Sequence, residues 1–470
     1  MRLCSCPVKY ISTRGGTEPI GFQEAVMTGM ARDGGLLLSD RIPAVQDRFA
    51  VWRGLSYPDL AFEIMRLYSD IPEGDFRDIV QRSYAAFRHP DVTPVRCVDG
   101  LHVVELFHGP TLAFKDVALQ FLGHVFEYVL QRSARELNIL AATSGDTGSA
   151  AICGVRGRKR IRIFVMHPHG RVSPIQERQM TSVLDDNVFN LAVNGTFDDC
   201  QRIMKTLFAD LAFRDRYSLG AVNSINWARV LAQIVYYFFA AFRVMRLTGA
   251  TRVQMAVPTG NFGDIFAGYI ACRMGLPISR LILATNENDI LARFFASGDY
   301  SQGAVHATIS PSMDIQVASN FERYLYYRSG GDPTAVRALM DRFRAEGRLS
   351  VKPLRDGRVD DVIVAGSANT AETMEIIRRF HAEHGYLLDP HSAVGVHVAL
   401  KYPDPAAPTI CLATAHPAKF GDAIAKAVGR NIARHPILDA LADLPTRYAI
   451  LPASDAAIRE HLERNIRIHE

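Results

Sequence analysis

A chain of 470 residues, 48% of them hydrophobic, carries enough apolar material for a large core shared between two or three domains. Its 53 basic and 49 acidic residues leave a net charge of +4, which argues against a dedicated nucleic-acid binder, because that function needs a basic stripe. No apolar run reaches the length of a membrane span, and the start MRLCSCPVKY has no sustained apolar segment of the secretory type.

Residues 1–95 mix helical patterns with turn signals such as Asp33-Gly34-Gly35 and end in the turn-rich RHPDVTPV, which reads as a domain boundary. Next comes HGPTLAFKDVALQF (108–121), where a Gly-Pro-Thr turn enters an amphipathic helix. Val117, Phe121, Val125 and Tyr128 share one face, and Lys115 lies in the first turn. The positive end of a helix disfavours a cation and favours a neutral amine, so Lys115 is a candidate nucleophile. A lone lysine is more commonly a solvated charge, and this stretch by itself leaves both readings open.

From about residue 96 to 430 the pattern changes. Short apolar runs occur at NILAAT (138–143), IRIFVM (161–166), VFNLAV (188–193), RVQMAV (252–257), LILAT (281–285) and TICLAT (409–414), mostly separated by helical stretches. Continuous apolar strands alternating with helices predict an α/β architecture with buried parallel sheets. Small-residue loops follow three of these runs: TSGDTG (143–148), PTGNFGD (258–264) and ATAHPAKFGD (413–422). Such loops lie at the carboxyl ends of strands, where backbone N–H groups and a helix N-terminus favour an anion. None has the GxxxxGK[ST] or GxGxxG spacing, and each alone is equally well a tight turn. NSINWAR (223–229) offers two amides, a hydroxyl and a guanidinium at the start of a helical pattern. That set suits a phosphate ester, although an N-cap followed by a surface arginine has the same spelling. Residues 300–385 are more polar and helix-rich and read as an insertion or a mobile subdomain, a candidate lid over a site; 431–470 predict a C-terminal helical extension. The seven cysteines, Cys4, Cys6, Cys97, Cys153, Cys200, Cys272 and Cys411, form no CxxC pair. They read as reduced thiols of a cytoplasmic protein and argue against a metal site.

ELFHGPTLAFKD, ATSGDTGSAA, NSINWARVLAQ, PTGNFGD and ATAHPAKF occur in the order seen in threonine synthases. The chain resembles that family of fold type II pyridoxal-phosphate enzymes from YISTRGG to about residue 430. The resemblance implies two open parallel-sheet α/β subdomains, an N-terminal domain and pyridoxal 5'-phosphate carried on Lys115. It implies a cofactor phosphate cradle at PTGNFGD, with Thr259 and Asp264 at its ends and backbone donors from Gly260, Asn261, Phe262 and Gly263. Thr414 is expected to face the pyridine nitrogen, and Asp146 the cofactor's ring edge. Ser144, Gly145 and Thr147 are expected near the substrate carboxylate, and Asn223, Ser224, Asn226 and Arg229 at the substrate phosphate. Asp146 departs from the asparagine that many relatives carry. Asp116 is either a family feature or a plain helix N-terminal carboxylate, and His108, His391 and His416 read as supporting rather than catalytic.

The implied substrate is O-phospho-L-homoserine, and the implied reaction is last in threonine biosynthesis. Lys115 removes the Cα proton, a β-proton follows, phosphate leaves Cγ, and reprotonation at Cγ with water added at Cβ gives threonine. Two alternatives share the motifs: a phospholyase releasing 2-oxobutyrate and ammonia, and a scaffold that binds without chemistry. The presence of Lys115 argues against the second. NSINWAR and the long N-terminal region argue against a simple serine/threonine dehydratase.

Overall fold

The computed structural model describes residues 8–354 and 357–466. Cys4 and Cys6 lie outside them; Cys97, Cys153, Cys200, Cys272 and Cys411 form no disulfide. The chain forms two compact units, one of residues 1–114 and 224–433, the other of 115–223 and 434–470.

The first unit holds a six-stranded sheet. Its order is Ile363–Ser367, Ile278–Thr285, Val253–Pro258, Thr409–Ala413, Leu101–Glu105 and Val95–Val98. All neighbours are parallel except the last pair, an antiparallel hairpin. Val253–Pro258 and Thr409–Ala413 are buried at every position, which explains their unbroken apolar spelling.

One helix of this unit, Trp227–Thr248, is long and apolar enough to cross a membrane, contrary to the sequence expectation, yet 83% of its apolar window is buried in the protein. It is a core helix, packed on Tyr57–Met65 and Gly263–Arg273. Trp227 meets Tyr10 edge-on, and Phe238 and Phe239 meet Trp52 and Tyr57. Its ends follow from the sequence: the Asn226 side chain accepts from Ala228 N, and Gly249 turns out at φ 73°.

The second unit holds a five-stranded parallel sheet: Ala449–Pro452, Val188–Asn194, Ile161–Pro168, Leu137–Ala142 and Leu219–Gly220. All six predicted apolar runs are strands of one sheet or the other. The C-terminal region is not the purely helical extension expected. Ala449–Pro452 is an edge strand, and Ile458 and Leu462 of helix Asp455–Asn465 join Leu140, Phe164 and Leu191 in the core. The short run AILP carries too little alternation to read as a strand.

The 300–385 region has an exposed part and a buried part. Residues 302–307 are exposed, but Asn320, Arg323, Tyr324 and Leu325 are fully buried within the first unit. Arg323, a buried guanidinium bonded to three different residues, ties this part of the region into the first unit.

Candidate active site

In the second unit, Lys115 is the first residue of helix Lys115–Ser133 and is buried. Its Nζ lies 3.7 Å from Asp146 Oδ2, so the helix terminus is not the only field the amine feels. Asp146 opens helix Asp146–Val155, and its Oδ1 accepts a hydrogen bond from Gln176 Nε2 at 2.8 Å. The TSGDTG turn is braced from inside, since Thr143 Oγ1 accepts from Gly145 N and Gly148 N. Gly145 has φ 146°, and a Cβ there would stand 2.4 Å from Gln176 Oε1. Only glycine leaves Gln176 its seat against Asp146. Ser144 is exposed and Thr147 half-buried at the same turn, while Asn223 closes this unit's first segment with a buried, unpartnered Oδ1.

In the first unit, the two most specific motifs are bonded to each other. Phe114 N donates to Thr414 O, His416 N to Leu112 O, and Lys419 Nζ to Thr111 O. Leu112 adopts φ 62°, a conformation held by this clasp and by Arg88, which donates to Gly109 O and Pro110 O. Thr414 is buried, and its N–H donates to Ser392 Oγ. Asp389 caps helix Pro390–Ala399, accepting from Ser392 Oγ and from His391 Nδ1. His391 Nε2 in turn accepts from Ser312 N at 3.2 Å, which assigns the ring proton to Nδ1. His108 Nε2 lies 2.8 Å from Glu105 Oε2, and Glu105 Oε1 accepts from Tyr386. His391 and His108 are thus each held by a carboxylate.

The PTGNFGD loop follows strand Val253–Pro258 and leads into helix Gly263–Arg273. Phe262 sits at φ 64° and turns the chain into the helix. Its ring is buried against Phe295, Phe321 and Tyr324. Among the described residues, the N–H groups of Gly260, Asn261 and Phe262 donate to no protein group. Successive unpaired N–H groups at a helix N-terminus, one residue left-handed, fit a phosphate. A Cβ on Gly260 would meet Ser312 O at 2.7 Å, and one on Gly263 would meet Asn320 Nδ2 at 3.2 Å. Small residues are required here because protein backbone and side chains crowd the loop from behind.

Two residues expected at the cofactor cradle also make bonds within the protein. Asp264 is buried among phenols, accepting from Tyr236 at 2.5 Å and Tyr237 at 2.8 Å, and burial pushes its carboxyl up to about 6. Thr259 donates its hydroxyl proton to Val257 O, which ties the loop to the strand end. Both side chains brace the loop, and Asp264 Oδ2 is buried without a hydrogen-bond partner among the described residues.

At NSINWAR, the Asn226 side chain is engaged within the protein. Its Oδ1 caps the helix and its Nδ2 donates to Val26 O, so both ends are used within the protein. Ser224 Oγ lies 2.7 Å from Ser319 Oγ. Arg229 differs from all of these. Its guanidinium is buried, and among the described residues Nε has no partner and no carboxylate pairs with it. Burial, opposed by the nearby Tyr236, pushes it down to about 10, so it remains a cation at neutral pH. A buried cation without an acid is a site prepared for an anion.

The chain's relatives fit this geometry. Residues 92–412 match the pyridoxal-phosphate dependent enzyme family, residues 9–84 the threonine synthase N terminus, and residues 392–462 the threonine synthase C-terminal family. The threonine synthase of Pseudomonas aeruginosa is 46% identical over 97% of this chain and 98% of its own length. The chain belongs to the threonine synthase family. The Schizosaccharomyces pombe threonine synthase is likewise 46% identical, over 89% of each chain. The crystal structure of PLP-bound threonine synthase from Brucella melitensis superposes with a TM-score of 0.93 at 45% identity, covering 98% of this chain and 100% of that one. For the Escherichia coli threonine synthase the TM-score is 0.81 at 30% identity, over 97% and 99%.

As a threonine synthase family member, the chain also carries supporting residues that its motifs do not reveal. Gln176, Asn320 and Arg323 each stand far in sequence from the groups they bond. Ser173-Pro174, a capped helix start three residues before Gln176, is the one local signal that a side chain there is fixed.

Proposed function

We propose that this chain is a pyridoxal-phosphate-dependent threonine synthase that converts O-phospho-L-homoserine and water to L-threonine and phosphate. The observation that carries the substrate reading is Arg229, a buried guanidinium with no acidic partner among the described residues, on a motif rich in small donors. A phosphate ester brings the missing charge and the acceptor oxygens. The orphaned N–H groups of Gly260, Asn261 and Phe262 suit the second phosphate, that of the cofactor. Lys115, Asp146 and Thr414 are the residues that would hold the cofactor's other parts, and Ser144, Gly145 and Thr147 would hold the substrate carboxylate.

Pyridoxal phosphate, when bound, supplies an electron sink that stabilises negative charge beside the substrate's amine-bearing carbon. The remaining work falls to side chains of this chain. Lys115 Nζ, buried on a flexible stem, removes the proton from Cα and then one from Cβ, returns one at Cγ once phosphate has left, and returns one at Cα after water has added at Cβ. Asp146 keeps a carboxylate opposite that amine, and Gln176 fixes which oxygen faces it. Arg229 holds the phosphate while its bond to Cγ breaks, and stabilises the charge the leaving group gains. A water then adds at Cβ.

The deciding experiment incubates the purified protein with O-phosphohomoserine and measures phosphate, threonine and 2-oxobutyrate together. Threonine in step with phosphate supports the reading. Phosphate matched by 2-oxobutyrate instead replaces it with a phospholyase, and no phosphate release removes the phosphate-ester argument.

A further inference from the structure

Asn320 is fully buried and sits just before helix Phe321–Arg328, inside the first unit. Its side-chain amide donates to Asn261 O at 3.1 Å and to Ser224 O at 3.2 Å, and its backbone N–H also donates to Asn261 O at 3.0 Å. Its Oδ1 accepts from Arg323 Nη1. Arg323, also fully buried, donates to Ile225 O through Nη2 and to Leu37 O through Nε and Nη2. The nearest carboxylate in sequence, Glu322, is engaged by Arg14 and Thr13. Two neighbouring side chains therefore hold one carbonyl of PTGNFGD and two of NSINWAR.

A trans peptide points its C=O and the following N–H in opposite directions. Drawing Asn261 O inward turns the Phe262 N–H outward. Drawing Ser224 O and Ile225 O inward turns the N–H groups of Ile225 and Asn226 outward. Among the described residues none of these three N–H groups has an acceptor in the protein. Each is the partner of a carbonyl that Asn320 or Arg323 holds.

We infer that Asn320 and Arg323 are positioning residues that aim two sets of backbone donors, one at the cofactor phosphate and one at the substrate phosphate. The inference rests on the placement of those two phosphates proposed above. One amide holds both loops, so its loss disturbs recognition of both phosphates together. Neither residue touches the reacting atoms; they act through the peptide planes of Asn261–Phe262, Ser224–Ile225 and Ile225–Asn226.

The test compares the wild type with Asn320→Ala, Asn320→Ser and Arg323→Lys as full-length proteins. Pyridoxal phosphate and pyridoxal are each titrated onto the cofactor-stripped protein, following the absorbance of the lysine-bound cofactor. Losing the amide's two donors should weaken pyridoxal phosphate about tenfold, and pyridoxal, which lacks the phosphate, much less. KM for O-phosphohomoserine should rise by a similar factor while kcat changes little, and Asn320→Ser, which keeps one donor, should recover part of both. Equal weakening of pyridoxal and pyridoxal phosphate, or no weakening of either, overturns the inference. Should Asn320→Ala fail to fold, Asn320→Ser carries the same comparison with a smaller expected ratio. Arg229→Ala is measured alongside. An unchanged KM in that variant would remove the substrate-phosphate placement itself, and the cofactor arm would then decide the clamp alone.

Discussion

At the scale of single residues, Lys115 and Arg229 differ in what surrounds them. Lys115 faces Asp146 at 3.7 Å, whereas Arg229 faces no acid among the described residues. Borohydride should therefore trap the cofactor on the peptide containing Lys115, and Lys115→Ala should abolish the yellow absorbance of the linkage. Trapping on another lysine would overturn the assignment. Arg229→Ala should leave that absorbance intact while kcat/KM for O-phosphohomoserine falls by roughly two to three orders of magnitude, matching the loss of a charge-assisted bond of about 3–4 kcal/mol. Arg229→Lys should restore only part, because a point charge replaces a fork. Loss of the absorbance together with activity would place Arg229 in support of the fold instead. Both residues were legible in the sequence, Lys115 from its helix start and Arg229 from its motif. The absence of a partner for Arg229 was not, because pairing depends on what the fold brings alongside. The Asn226 side chain was ambiguous for a related reason: its spelling fits both an N-cap and a ligand, and only the fold shows its amide donating to Val26 O.

At the scale of elements, the start of helix Gly263–Arg273 shows how a binding loop is kept rigid. Phe262 is held left-handed by its aromatic packing, and Asp264 is anchored by two phenols from helix Trp227–Thr248. That anchor has a pH signature. The unfolded carboxyl ionises near 3.8, and burial raises the folded one to about 6. Between those values the folded state holds the extra proton, so its stability falls as pH rises, and levels off above the folded value. Asp264→Asn does not titrate. The unfolding free energy of the variant relative to wild type should therefore increase from about pH 4 to about pH 6 by on the order of 2 kcal/mol and then stay constant. A difference that is flat across this interval would show that the carboxyl is not raised. The loop itself was legible from its glycines. Its supports were not, since Tyr236, Asn320 and Ser312 lie between 25 and 60 positions away and belong to segments that read as ordinary helix and turn.

At the scale of the whole molecule, the parallel-sheet architecture was legible because strands buried on both faces have unbroken apolar runs, as in IRIFVM and RVQMAV. The partition into units was not, because each is built from two separated stretches of chain, and local pattern carries no information about which stretches meet. The C-terminal stretch gives the sharpest test. Residues 434–470 supply the edge strand Ala449–Pro452 and the core side chains Ile458 and Leu462 to the second unit. Each of those two fully buried side chains contributes about 1.5–3 kcal/mol. A chain ending at Ala433 should become sensitive to limited proteolysis within residues 115–223, while peptides from 224–433 persist. Equal resistance of 115–223 in both forms would mean that the unit is complete without its C-terminal piece. The same interleaving sets an order on synthesis. Residues 115–223 leave the ribosome long before their last strand and helix exist, so the nascent chain carries the open edge of Val188–Asn194 until the final residues emerge. An unpaired strand edge is a template for the wrong partner. Stalled or prematurely terminated translation products should accordingly depend more on chaperones than the finished chain does.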